Sequence, residues 1–175
     1  MMEKEQARRE GLARRAALSQ ETRRRYDASL LQKMKACAEQ TDLIGCYVSM
    51  REEPDTRTFL SWCFETGRAV CVPKVTGNTL QFYPICSFAD LKPGCFGVEE
   101  PFHGEPVDLS GIKKMFVPLS SFDGRNHRTG YGKGYYDSVL LPSMKTIGIA
   151  YPEQYVEWID TDPWDVALDI ILLPD

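Results

Sequence analysis

Histidine is scarce in this chain, with two in 175 residues. Neither His103 nor His127 has a carboxylate or thiol neighbour at catalytic spacing, so the sequence offers no hydrolase dyad. The six cysteines contain no C-x-x-C pair and no Cys/His cluster of zinc spacing. Several lie in apolar runs such as Ala69 to Val72, and all six read as reduced core thiols. No run reaches the roughly 20 apolar residues of a membrane span, and the charged N-terminus lacks the apolar stretch of a signal peptide. The cytoplasm is therefore the expected compartment, with no membrane partner. An excess of base is also missing: the net charge is -4, which argues against a surface devoted to nucleic acid. Repeats and low-complexity segments are absent.

What is present suits one packed domain, since 43% of the residues are hydrophobic and the length is short for two. We expect a single domain over 1–175, with basic helices in 1–38 and an α/β core in 43–175. Residues 3–18 are rich in Ala, Arg, Glu and Leu, and Ser19 can cap a second helix reaching about Ala38, with Tyr26, Leu30, Met34 and Cys37 as its buried stripe. Strands are expected at 43–50, 68–75, 80–85, 114–118, 146–150 and 169–173. Helices are expected at 56–65, ended by Gly67, at 134–141, and as a short piece near 152–156. The Pro/Gly-punctuated stretch 91–106 reads as an irregular functional loop. Alternating strands and helices imply an α/β fold: three layers, a mostly parallel Rossmann-like sheet flanked by helices. Ligands of such sheets bind beyond the carboxyl ends of the strands.

The run Phe122 to Asp137 carries the chemistry. Gly130, Gly132 and Gly134 alternate, so backbone N–H groups can converge on anionic oxygens, and Arg128 and Lys133 add positive charge. The helix expected next would place its N-terminus at the same anion. On that helix Lys133 and Asp137 would share a face, presenting an ammonium and a carboxylate as a magnesium nucleotide requires. The run is not a Walker A loop, because Gly134 stands where Ser or Thr should meet magnesium, and it is not a dinucleotide fingerprint. Tyr131, Tyr135 and Tyr136 are either core or a stacking surface for an aromatic ligand.

Lys4, Arg8 and Arg15 fall within about 40° on a helical wheel, forming one cationic stripe that is either a solvated face or part of a site. Glu53 follows the first strand, where it can accept ligand donors or serve as an ordinary loop acid. Asp165 can be a turn residue or a second site carboxylate.

Together these residues resemble the 5-formyltetrahydrofolate cyclo-ligase family, also called methenyltetrahydrofolate synthetases. The likeness runs nearly end to end. It is carried by Lys4 and Arg8, Ser49 to Glu53, Val72-Pro73-Lys74, Phe116-Val117-Pro118, the run Phe122 to Asp137, Gly148 to Tyr151 with Gln154, and Asp165 with Asp169. Asn126 stands where the family usually has glycine; asparagine tolerates positive φ, so the turn is expected to survive. Leu119 also replaces a usual glycine, and it is expected to narrow the folate side or alter the strand exit. Trp164 stands where a histidine is common.

The resemblance implies ATP-dependent conversion of 5-formyltetrahydrofolate to 5,10-methenyltetrahydrofolate, releasing ADP and phosphate, with Mg²⁺ as cofactor and ATP as co-substrate. It also implies the roles. Lys133, Arg128 and Lys4 are the candidate catalytic residues. Lys4, Arg8, Arg128, Gly130, Tyr131, Gly132, Lys133, Gly134, Tyr135 and Tyr136 hold ATP. Val48, Glu53, Tyr131, Gly132, Lys133, Gly134 and Tyr135 meet the folate, and Asp137 and Asp165 carry the metal. A monomer, or at most a weak dimer, is expected. Three rival readings remain open at this point: a kinase or ligase for another small molecule on the same scaffold, an ATP-free sugar-phosphate isomerase or CoA-transferase relative, and a nucleic-acid binder using the basic helices.

Overall fold

The structure is a computed structural model, and it describes residues 2–38 and 43–175. Helix α1 (Lys4–Ala16) and helix α2 (Gln20–Cys37) meet at Ser19, whose side chain accepts from the Thr22 amide as an N-cap. Then come β1 (Leu43–Cys46), α3 (Arg57–Thr66), β2 (Val70–Thr76) and β3 (Thr79–Ile85). The short strands β4 (Leu91–Pro93) and β5 (Glu99–Pro101) pair as an antiparallel ribbon. After β6 (Ile112–Val117), the strands β7 (Ser121–Phe122) and β8 (Arg128–Thr129) form a small hairpin, and β9 (Lys145–Ile149) and β10 (Ile170–Leu172) complete the order.

Six strands form the main sheet in the order β10-β9-β6-β1-β2-β3, parallel except for β3, which returns antiparallel beside β2. The expected mostly parallel α/β sheet flanked by helices is what the chain forms. Side chains alternate across it as the pleat requires. On β6, Phe116 joins one core cluster with Leu30 and Met34 of α2 and Phe59, Leu60 and Cys63 of α3. Met115 and Val117 enter the opposite cluster with Leu119, Val139, Leu140 and Met144.

The order also fixes where a ligand can sit. From β1 the chain moves outward to β2 and β3, then returns to the other side of β1 at β6 and continues outward. Connections leaving β1 and β6 therefore diverge, opening a crevice beyond their carboxyl ends.

Four local expectations are corrected. No regular helix spans 134–141; residues 135–139 form turns, held by amides of Val139 and Leu140 bonding to the Tyr136 carbonyl. The glycines thus occupy no helix N-terminus, and anion binding there has to come from backbone curvature and side-chain charge. The expected strand 43–50 ends at Cys46, because residues 47–50 leave the sheet as an extended wall. Reciprocal bonds hold that wall: the Ser49 amide to Thr56 Oγ1 at 2.9 Å, and the Thr56 amide to Ser49 Oγ at 3.0 Å. The stretch 91–106 contains the β4–β5 ribbon. Cys86 and Cys95 are exposed, so the reading of six core thiols fails for these two.

Asn126 has φ of 64° in the β7–β8 turn, as expected of that position. Leu119 points away from the ligand crevice and does not line it. Its side chain is 1% exposed in the core, against Gly148, where an added Cβ would lie 3.0 Å from a Leu119 methyl carbon.

Candidate active site

A cavity of about 1190 Å³ lies beyond the carboxyl ends of β1 and β6. Every candidate site residue named from the sequence lines it: Lys4, Arg8, Val48, Glu53, Arg128, Gly130 to Asp137 and Asp165. The cationic stripe of α1 faces this space because of Gly11, which shares that face. A Cβ at Gly11 would stand 2.0 Å from the Ser120 carbonyl oxygen, so the helix can approach β7 this closely only with glycine there. Arg15, which the sequence placed on the stripe but not in a site, lines the cavity as well. The solvated-face reading of the stripe is corrected for all three cations.

One end of the cavity is polar. Arg8 Nε donates to the Gly130 carbonyl at 2.6 Å, and its Nη1 meets Glu5 at 2.6 Å. Lys4 Nζ lies 2.5 Å from Asp165 and 2.7 Å from Asp162. Partial desolvation works against the Lys4 charge, but the two carboxylates outweigh it and hold its pKa above the ordinary lysine value. Asp165 is desolvated too, yet Lys4 and the Asp162 amide bring it below the usual carboxylate range. Arg128 is nearly enclosed, its side chain 6% exposed, with Nη2 3.2 Å from Asp137 and its Nε buried without a partner. Burial lowers its pKa, while Asp137, Tyr136 and Asp165 favour the charge. Lys133 is exposed, with its Nζ 5.9 Å from the Phe96 ring centroid, and it has no carboxylate partner among the described residues. Gly132 and Gly134 have φ of 88° and 67°, the left-handed curvature that turns successive amides towards one concavity.

The other end is narrower in chemistry. Glu53 is 8% exposed, accepting from the Met50 amide at 3.0 Å and from the Tyr131 hydroxyl at 3.3 Å. Desolvation pushes its pKa up, against the Met50 amide and the Arg15 charge. Val48 and Tyr47 form the adjoining wall. Phe96, which the sequence reading missed, overhangs the cavity from the β4–β5 ribbon with φ of 59°, and no spacing rule marks such a residue.

Asp137 and Asp165 both act on the Arg128 charge and line the same space. Among the described residues no group of three or more metal-ligating side chains occurs. The pair suits Mg²⁺ in its usual nucleotide mode, with one or two carboxylates and the remaining oxygens from phosphate and water.

An α/β sheet with a cationic, glycine-lined concavity beside a buried carboxylate pocket, both at the switch point, defines a nucleotide-dependent enzyme of small molecules. The 5-formyltetrahydrofolate cyclo-ligase family model matches residues 1–174, and the chain belongs to that family. With it comes the enzyme class: an ATP-binding ligase of folate metabolism. The chain is 32% identical to the 5-formyltetrahydrofolate cyclo-ligase of Mycoplasma pneumoniae, covering 98% of each chain, and 28% identical to that of Mus musculus, covering 91% of this chain and 87% of the other. The NMR structure of Aquifex aeolicus 5,10-methenyltetrahydrofolate synthetase superposes with a TM-score of 0.85 at 31% identity, over 97% of this chain and 89% of that one. No helix among the described residues is long and apolar enough to cross a membrane.

Proposed function

We propose that the chain cyclises 5-formyltetrahydrofolate to 5,10-methenyltetrahydrofolate, consuming ATP and releasing ADP and phosphate. The observation that carries this reading is a single cavity lined both by the cations Lys4, Arg8 and Arg128 and by the buried carboxylate of Glu53. Its volume of about 1190 Å³ exceeds the roughly 300–1,000 Å³ of a site for one drug-sized ligand, and its lining combines cations that suit a polyphosphate with a buried carboxylate that suits a pterin.

A formamide carbonyl is a poor electrophile and its oxygen a poor leaving group. Attack of that oxygen on the γ-phosphorus displaces ADP and makes it a phosphate ester of an iminium; N10 of the same molecule adds to that carbon and gives up its proton to solvent, and the C–O bond breaks as phosphate departs. Phosphoryl transfer needs positioning and charge neutralisation more than covalent help, so no protein nucleophile is required. Lys4, Arg8 and Arg128 bind the phosphates, the backbone of 130–134 follows them, and Lys133 is the free cation that moves onto the transferring group. Glu53, with Val48 and Tyr131, receives the pterin; an ionised carboxylate only accepts, which matches the pterin N–H edge. Asp137 and Asp165 hold Mg²⁺, which when bound would neutralise phosphate oxygens. The basic helices and the α/β core act together as one unit, since the residues proposed to hold phosphate come from both.

The test is the absorbance of methenyltetrahydrofolate formed from 5-formyltetrahydrofolate, measured with and without ATP and alongside ADP release. Product without ATP, or ATP consumption without product, would overturn the proposal.

A further inference from the structure

Arg15 is the one α1 cation on this cavity that no phosphate role claims. It is 4% exposed, a burial rare for arginine without an acid partner. Its Nη1 donates to the Leu119 carbonyl at 3.3 Å and its Nη2 to the Tyr131 hydroxyl at 3.2 Å. That hydroxyl in turn donates to Glu53 at 3.3 Å. A chain of donors therefore runs from α1 through Tyr131 of the glycine run to the buried carboxylate in the cavity wall. The anchor is firm, because the Leu119 carbonyl also accepts from Gln154 at 3.0 Å and the Leu119 side chain is sealed in the core.

We propose that Arg15 is a positioning residue for the folate, holding the Tyr131 hydroxyl and, through it, the Glu53 carboxylate in the orientation that receives the pterin N–H donors. The inference rests on the activity proposed above. Arg15 fixes the donor direction along the relay: a guanidinium can only donate, so the phenol must use its lone pair towards Arg15 and its proton towards Glu53. Glu53 consequently keeps its remaining lone pairs for ligand. The same cation counteracts the desolvation that raises the Glu53 pKa. The other groups facing Glu53 cannot replace it. Arg51, on the same turn, is exposed, and Tyr47, Tyr131 and Tyr136 are phenols whose pKa values burial raises, leaving them neutral near pH 7.

The sign of the pH effect follows. Without the Arg15 charge the Glu53 pKa rises further, the protonated form persists to higher pH, and folate affinity is lost from the acid side earlier. The experiment measures KM for 5-formyltetrahydrofolate and for ATP, and kcat, across pH, in Arg15→Met, Arg15→Lys, Tyr131→Phe and Glu53→Gln. In Arg15→Met the folate KM should rise about tenfold, the scale of one charge-assisted hydrogen bond. Its acid limb should move to higher pH, with ATP KM and kcat within about twofold of the parent, a split that a general loss of packing would not produce. In the Glu53→Gln background the pH-dependent part should vanish, since no charge remains to be held. Arg15→Lys should keep the parent limb while raising the KM, and it carries the test with Tyr131→Phe if Arg15→Met does not fold. An unchanged folate KM, a parallel rise in ATP KM, or an unaltered limb would overturn the relay. An inactive parent would instead overturn the proposed activity, so the two failures are separable.

Discussion

Arg8 donates from Nε to the carbonyl of Gly130 at 2.6 Å, tying the first helix of the chain to a glycine more than a hundred residues later. The bond uses one guanidinium nitrogen, and the charge stays beside the curved segment: a Cβ on Gly132 would lie 3.6 Å from the Arg8 guanidinium carbon. Replacing Arg8 by alanine therefore removes a charge from the proposed phosphate site and the tie to the Gly130 carbonyl. We expect the KM for ATP to rise by about 10- to 100-fold, the size of one or two hydrogen bonds involving a charged group, with a smaller change in folate KM. Arg8→Lys should recover part of the affinity but not the directed bond. Equal KM values for ATP in parent and Arg8→Ala would refute the role.

Glu53 and Lys133 should separate in kinetics, one acting on folate binding and the other on turnover. Glu53→Gln exchanges an acceptor-only group for an amide that presents donors to pterin donors, so folate KM should rise while ATP KM changes little. Lys133, exposed and unpaired with any acid among the described residues, can move to the developing charge, and its loss should fall on kcat by about a hundredfold or more. Steady-state kinetics with each substrate varied in turn distinguishes the two; a near-normal kcat in Lys133→Ala removes its role.

Those two residues also show where the sequence was readable. The run proposed to hold phosphate stands out through glycine spacing and nearby bases, and the strand pattern correctly implies a mostly parallel sheet, with the cavity beyond its carboxyl ends. Glu53 alone looks like an ordinary loop acid, and only the motif around it marked it. Three features escaped because they depend on tertiary contact. The turns at 135–139 carry a helix-like pattern, but Val139 and Leu140 are drawn into the core under the sheet, and the glycines before them favour curvature over helix. Arg15 reaches the cavity only because α1 lies against β7. Cys95 is exposed in the connection between the ribbon strands and Cys86 just after β3, and no apolar run encodes either placement.

The close approach at Gly11 makes a sharp prediction. A methyl group there would sit 2.0 Å from the Ser120 oxygen and 2.8 Å from the Ser121 Cβ, and neither belongs to a flexible side-chain end. Although alanine is the better helix former, Gly11→Ala should destabilise the protein by about 1–3 kcal/mol through overpacking, or push α1 outward. Either outcome moves Lys4 and Arg8 from the phosphates, so ATP KM should increase along with the loss in unfolding midpoint. A variant as stable as the parent, or more stable, with unchanged ATP KM would contradict the packing.

Asp123 should set part of the acid stability. It is 1% exposed at the start of the turn that delivers Arg128, and accepts from the amides of Arg125, His127 and Ile159 at 3.0, 3.2 and 3.0 Å. Arg125 Nη2 adds an ion pair at 2.8 Å. Burial alone would raise the Asp123 pKa, but these donors more than offset it and hold the group below the ordinary carboxylate value. A depressed carboxylate contributes stability that is complete above its unfolded pKa of about 3.9 and is lost as pH falls through the folded value. Asp123→Asn should therefore cost about 2–4 kcal/mol at pH 7, because the donors lose an anionic acceptor and one of them faces an amide NH₂. The gap between parent and variant should begin to narrow as pH drops below about 4, where the carboxylate of the unfolded parent starts to take up a proton, and go on narrowing towards the lower folded value. Urea unfolding midpoints of both proteins from pH 7 to pH 3 measure this directly; a gap that stays constant across the range would show that the Asp123 charge contributes nothing to holding the turn.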